Sequence, residues 1–234
     1  MRVAGSFDLF RNVLFSNVFL LDGGPGDRWL VDTGHWSERL SLLVALRRRG
    51  LSPRDLTGVL LTHLHSDHAG NARFLQRQGV RIHAHRRDAE TLANKSRARM
   101  TRGAGSFVAG LLAEFENHFP AHLEVDRALD EGDTVAGLEV HWVPGHTEGS
   151  VFYRHESTRT LLSGDSLLTA IPPLVVQRGM ALPYPTFTVD LERAIASVRA
   201  FHARGHHYEH LLPGHGPPLV GGARGQVLEF LATQ

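Results

Sequence analysis

The sequence predicts a fold that mixes strands with helices, on three observations. Compact apolar runs end in polar turns, as at residues 57–62 (TGVLLT). Amphipathic stretches at helical spacing follow them, as at residues 189–204 with Leu191, Ile195, Val198 and Phe201 on one stripe. Strand, polar loop, helix and strand succeed one another over residues 57–84, which is a βαβ unit.

Taken in order, residues 13–21 and 29–31 read as strands joined by the turn Asp22-Gly23-Gly24-Pro25-Gly26-Asp27, a hairpin. Asp32-Thr33-Gly34 ends the second strand. Residues 37–49 carry Leu40, Leu43, Val44 and Leu46 at helical spacing, and Gly50 stops that helix. Residues 57–62 suit a strand buried on both faces. His63-Leu64-His65-Ser66-Asp67-His68 follows at its carboxyl end, where open α/β sheets place ligands, then a helix over 69–78 and a strand over 80–84. Residues 90–120 break the pattern and read as a helical insertion in one domain spanning 1–234. Within it Phe107, Leu111, Leu112 and Phe115 read either as the apolar edge of a lid or as the packing face of an ordinary helix. Strands resume at 138–143, 151–154, 160–163 and 210–212, and four prolines make residues 170–187 a long irregular loop.

Composition narrows the chemistry. The 234 residues hold 42% hydrophobic and 21% charged side chains, ordinary for a globular protein. The absence of cysteine excludes disulfides, thiolate catalysis and iron–sulfur ligation. A formal net charge of +1 argues against nucleic acid as the partner. No apolar run reaches the ~20 residues of a membrane span and none has the build of a secretory leader, so a cytoplasmic protein without membrane contact is expected. The 16 histidines are the unusual count.

His63-x-His65-x-Asp67-His68 explains part of it. From the chain's 16 His and 12 Asp, such a string arises by chance with a probability of roughly 0.004. Three imidazoles and a carboxylate turned toward one point are costly to bury unless something binds them, and a transition metal is the natural partner. Donors of nitrogen and oxygen without sulfur suit zinc, iron or manganese. Pro144-Gly145-His146-Thr147, Gly164-Asp165 and Pro213-Gly214-His215-Gly216 repeat the design: a strand ends, glycine turns the backbone, and a ligand-type side chain sits at the tip. Seven ligands are too many for one tetrahedral ion and suit two, with Asp165 as the bridging carboxylate.

With these motifs in this order, the chain resembles the metallo-β-lactamase superfamily over residues 10–220. The successive gaps of 78, 19 and 50 residues between His68, His146, Asp165 and His215 are similar to those of its dinuclear members. The resemblance implies an α+β fold, a four-layer αββα sandwich of two mixed sheets. It implies a first metal on His63, His65 and His146, a second on Asp67, His68 and His215, and Asp165 between them. Asp32 would orient a ligand histidine through its free ring nitrogen.

The implied activity is a dinuclear metal-dependent hydrolase, two divalent ions (zinc first, iron or manganese otherwise) holding a bridging hydroxide that attacks an ester, lactone, thioester or amide of a small molecule. Asp67 and Asp165 are its catalytic carboxylates. A lactonase or esterase is favoured, because the glutathione-thioester hydrolases of the family carry a helical region longer than the 19 residues that follow His215. Arg178 and Tyr184, in the Pro-rich loop, are candidate substrate contacts, and a monomer or homodimer is expected. The alternative is a mononuclear iron thiol or persulfide dioxygenase of similar fold. Among the other histidines, His83 and His85 read as a solvated rim. His202, His206, His207 and His210 read as imidazolium ions at a helix C-terminus.

Overall fold

Alternation along the strands sorts the apolar residues into three cores, and the cores define four layers. A computed structural model describes residues 1–10, 15–94, 121–171 and 178–234. A seven-stranded sheet has the order β1 (Arg2–Ala4), β2 (Phe7–Leu9), β3 (Phe19–Asp22), β4 (Arg28–Val31), β5 (Gly58–Leu60), β6 (Arg81–His85) and β7 (Arg127–Leu129). Its first four strands are antiparallel neighbours, and β4 through β7 run parallel. In chain order, the remaining strands are β8 (Thr134–Val135), β9 (Leu138–Trp142), β10 (Val151–His155), β11 (Thr160–Gly164), β12 (Leu168–Ala170), β13 (Arg178–Ala181), β14 (His210–Pro213) and β15 (Leu219–Val220). A second sheet is ordered β15-β14-β11-β10-β9-β8, with β11 and β14 parallel, while β12 and β13 pair by themselves.

Odd and even residues then face opposite ways. Phe19, Leu21, Trp29, Val31 and Leu60 from the first sheet meet Val140, Val151, Tyr153, Leu162 and Leu212 from the second. Leu20, Leu30, Val59 and Ile82 face outward onto helices α1 (Arg39–Arg47), α3 (Ala72–Gln76) and α4 (Arg86–Asn94), the short α2 (Ser66–Ala69) preceding α3. Phe152, Leu161 and Leu211 face α5 (Leu191–Ala203) and α6 (Ala223–Ala232) on the other side. The result is the αββα sandwich of two mixed sheets. None of the described helices is long and apolar enough to cross a membrane.

Several elements differ from the sequence reading. The N-terminal strands β1 and β2 were not expected, and the described part of residues 170–187, which leaves out 172–177, holds the end of β12, the strand β13 paired with it and a 3-10 turn at Pro185–Phe187. The helix expected over 69–78 is two short helices separated at Gly70-Asn71, the first beginning inside the histidine motif. On α1 the buried face is Leu42, Ala45 and Leu46, whereas Leu40 is 77% and Val44 44% exposed. Apolar residues occupy both sides of that helix, so periodicity alone could not choose the face. Leu46→Ala should therefore cost about 2–5 kcal/mol in urea unfolding, and Leu40→Ala no more than about 0.5 kcal/mol. Equal losses would contradict this orientation. The proposed lid residues Phe107, Leu111, Leu112 and Phe115 lie outside the described residues, as does the insertion from residue 95 to 120.

Candidate metal centre

Five strands end at one rim of the sandwich, and each delivers a polar residue there. β4 runs into Asp32, β5 into Thr62 and His63, β9 into His146, β11 into Asp165 and β14 into His215. The two sheets are tied together beside this rim. The Tyr153 hydroxyl donates to the Leu61 carbonyl at 2.8 Å, and the Val151 N–H donates to that of Thr62 at 3.0 Å. Close approach is possible because residue 214 is glycine: a Cβ there would lie 2.2 Å from Asp165 Oδ1 and 2.8 Å from His68 Cε1.

The seven residues expected to bind metal come together in three overlapping groups: His63, His65 and His146; Asp67, His68 and His215; and His63, His68 and Asp165. In the first group His146 Nε2 lies 3.3 Å from His63 Nε2 and 3.1 Å from His65 Nδ1. Hydrogen bonding determines which nitrogens are bare. Thr62 Oγ1 gives its single proton to Asp32 Oδ2 at 2.8 Å, so it must accept from His63 Nδ1 at 3.0 Å. Thr188 Oγ1 gives its proton to the Tyr184 carbonyl at 2.8 Å and accepts from His146 Nδ1 at 3.2 Å. Both Nε2 atoms are left as acceptors facing each other in a buried cluster. Two such lone pairs repel unless they share a cation, so this donor set fits a bound metal. His65 Nε2 is also buried without a hydrogen-bond partner.

Electrostatics divide the two sides. Burial, reinforced by neighbouring imidazoles, holds the His63 pKa well below the usual histidine value and brings His65 to about 3. Burial also takes His146 to about 4. These rings are neutral at pH 7 and available as ligands. On the other side, burial opposes charging of His68 and His215, but Asp165, Asp67 and, for His68, Asp32 override it. His68 rises well above its usual value and His215 to about 9. The cluster thus attracts positive charge to its carboxylates. Asp165 Oδ1 is 3.2 Å from His68 Nε2, and its Oδ2 is 3.1 Å from His215 Nε2 and 3.7 Å from His146 Nε2, so one carboxylate reaches both sides. Asp67 Oδ2 lies 3.2 Å from His215 Nε2.

Asp32 sits beneath this assembly with φ of +62°, a left-handed backbone that Asp tolerates better than most residues. Its Oδ1 accepts the Thr62 N–H and its Oδ2 accepts His68 Nδ1–H, both at 2.8 Å. His68 Nε2 is thereby aimed into the cluster.

The remaining expectations divide. Tyr184 is half-buried, and its carbonyl accepts the Thr188 hydroxyl that also meets His146. Arg178 opens β13, and its side chain lies outside the described residues. His83 and His85 are buried, not a solvated rim: His83 packs edge-on against Trp29 and His85 stacks on Trp142. His202 is no helix-end imidazolium either. It is buried between the Val198 carbonyl and the Tyr208 hydroxyl, and burial lowers its pKa, as it does that of His206.

Sequence reasoning missed Thr62 and Thr188, whose hydroxyls carry no motif. It also missed Phe15, His35 and Trp36. Phe15 and Trp36 are 43% and 48% exposed, and their rings flank that of His35 at 5.1 and 5.0 Å. The position of His35 after Asp-Thr-Gly was the available signal. Burial lowers its pKa, and Asp67 and Glu38 pull it upward.

Comparison with known proteins places this geometry. The model of the metallo-beta-lactamase superfamily matches residues 11–215. The probable metallo-hydrolase YybB of Bacillus subtilis (strain 168) is 31% identical over 76% of this chain and 71% of its own length. A hydroxyacylglutathione hydrolase of Pseudomonas syringae pv. syringae (strain B728a) is 35% identical, but over only 49% of this chain and 35% of its own. Among solved structures, a metallo-beta-lactamase family protein from Thermus thermophilus superposes with a TM-score of 0.68 at 26% identity, covering 97% of this chain and 79% of that one.

Proposed function

The chain belongs to the metallo-beta-lactamase superfamily, and from that premise we propose a metal-dependent hydrolase that cleaves an ester, lactone, thioester or amide bond of a small molecule. His63, His65 and His146 would hold one divalent ion, Asp67, His68 and His215 a second, and Asp165 would serve both. The observation that carries this reading is the pair of unprotonated Nε2 atoms of His63 and His146, 3.3 Å apart, with hydroxyls on the opposite ring nitrogens. Two divalent ions, zinc by preference and iron or manganese otherwise, supply Lewis acidity and activate water at neutral pH.

The protein's own groups orient and exclude. Burial of all three histidines of the first group keeps bulk water off their ring nitrogens. Asp67 is the most open member, its side chain 30% exposed against 11% for Asp165. It is the carboxylate placed to take up the proton that the attacking water releases and to return it to the departing group. The exposed rings of Phe15 and Trp36 beside His35 favour a substrate with an apolar or aromatic portion. The hydroxyacylglutathione hydrolases among its relatives keep a thioester in the range alongside the lactone and ester reading.

Metal analysis of protein purified without added metal, followed by a panel of lactone, ester, thioester and β-lactam substrates, tests the reading. Two zinc ions per chain and hydrolysis that chelation abolishes are expected. One iron per chain with oxygen-dependent thiol oxidation would replace it with the dioxygenase. A fully active metal-free preparation would end both.

A further inference from the structure

One buried carboxylate has no part in the chemistry above. Asp88 lies in the first turn of α4, directly after β6, and is wholly inaccessible to solvent. Its Oδ2 accepts the Thr147 hydroxyl at 2.8 Å and its Oδ1 accepts the Gly149 N–H at 2.7 Å, with the Leu64 N–H as a third donor. Burial pushes its pKa up to about 7, and the three donors pull the other way. A carboxylate is costly in such a place unless several donors meet it. The fit is close enough to constrain a second residue: a Cβ at Gly149 would lie 2.6 Å from Asp88 Oδ1 and 2.5 Å from its N.

The positions of the three donors are informative. Leu64 separates His63 from His65, and Thr147 and Gly149 lie just beyond His146. One side chain therefore holds both loops that supply the three-histidine group, one loop following the first sheet and the other the second. We propose that Asp88 is a positioning residue for the His63, His65 and His146 group, locking its two loops in register so that their ring nitrogens converge. This rests on the reading of that group as a metal site.

Affinity for zinc, measured by competition with a chromogenic chelator, tests it without reference to activity. Asp88→Ala should weaken one of the two zinc equivalents by about 10–100-fold and leave the other within about twofold. A general loosening of the fold would weaken both. Asp88→Asn keeps an oxygen for Gly149 and can donate to Thr147, whose hydroxyl can turn to Ser150 Oγ at 2.8 Å, but it offers one acceptor where the Gly149 and Leu64 N–H groups both need one, so it should recover only part of the loss. Should Asp88→Ala fail to fold, Thr147→Val removes one arm of the clamp and should weaken the same equivalent by a smaller factor. Zinc affinities equal to wild type in every folded variant overturn the inference alone. A wild-type chain that takes up no zinc overturns the metal reading, and this inference with it.

Discussion

Asp165→Asn is expected to lower turnover on any accepted substrate by about 10²–10³-fold while the chain stays folded. Among the described residues, this carboxylate is the one group with oxygens near His68, His215 and His146 at once, at 3.2, 3.1 and 3.7 Å. Asparagine keeps the shape but removes the charge that raises His68 and His215, and it turns an amide N–H toward an imidazole. Steady-state kinetics with parallel zinc analysis and far-UV circular dichroism separate the possible causes. The expected result is lost turnover and reduced zinc with an unchanged spectrum. Wild-type kcat/KM in the variant would remove Asp165 from the site.

Asp32→Ala should produce the largest loss of stability of any rim substitution, about 3–5 kcal/mol in urea unfolding of the metal-free protein. Three donors end on this carboxylate: the Thr62 N–H, the Thr62 hydroxyl and His68 Nδ1–H. All are buried, so alanine leaves them without acceptors. Alanine also has to adopt the φ of +62° that Asp32 holds. Asp32→Asn should divide the effects. Asparagine accepts that backbone and the Thr62 N–H, so less stability is lost. Its amide, however, opposes the Nδ1–H tautomer of His68, so zinc affinity should fall as far as in the alanine variant. An alanine variant within about 1 kcal/mol of wild type would show that Asp32 does not organise the rim.

Much of this cluster could be read from the sequence because residues of ligand type gather at strand ends and glycine marks the turns. His63 through His68, His146, Asp165 and His215 announce themselves by residue type and spacing. What supports them does not. Thr62, Thr188 and Asp88 act through hydroxyl and carboxylate geometry that exists only after the two sheets meet, and nothing near Asp88 in the chain hints at Leu64 or Gly149. The same limit governs the fold. β5 was legible because a run buried on both faces is apolar throughout. The buried face of α1 was not, because Leu40 and Val44 look the same as Leu42 and Leu46 until the sheet selects one stripe. His83 and His85 looked like solvated residues because an imidazole packed against tryptophan leaves no trace in polarity.

The seam between the sheets carries a consequence of its own. Tyr153 and Val151 of the second sheet bond to the carbonyls of Leu61 and Thr62, at the end of the first, two residues and one residue before His63. Four residues of the cluster descend from one half of the chain and three from the other, so neither half possesses a site. The cluster is a property of their docking. A fluctuation that parts the two halves would separate His146, Asp165 and His215 from His63–His68, so activity is expected to fall ahead of strand content as urea is raised.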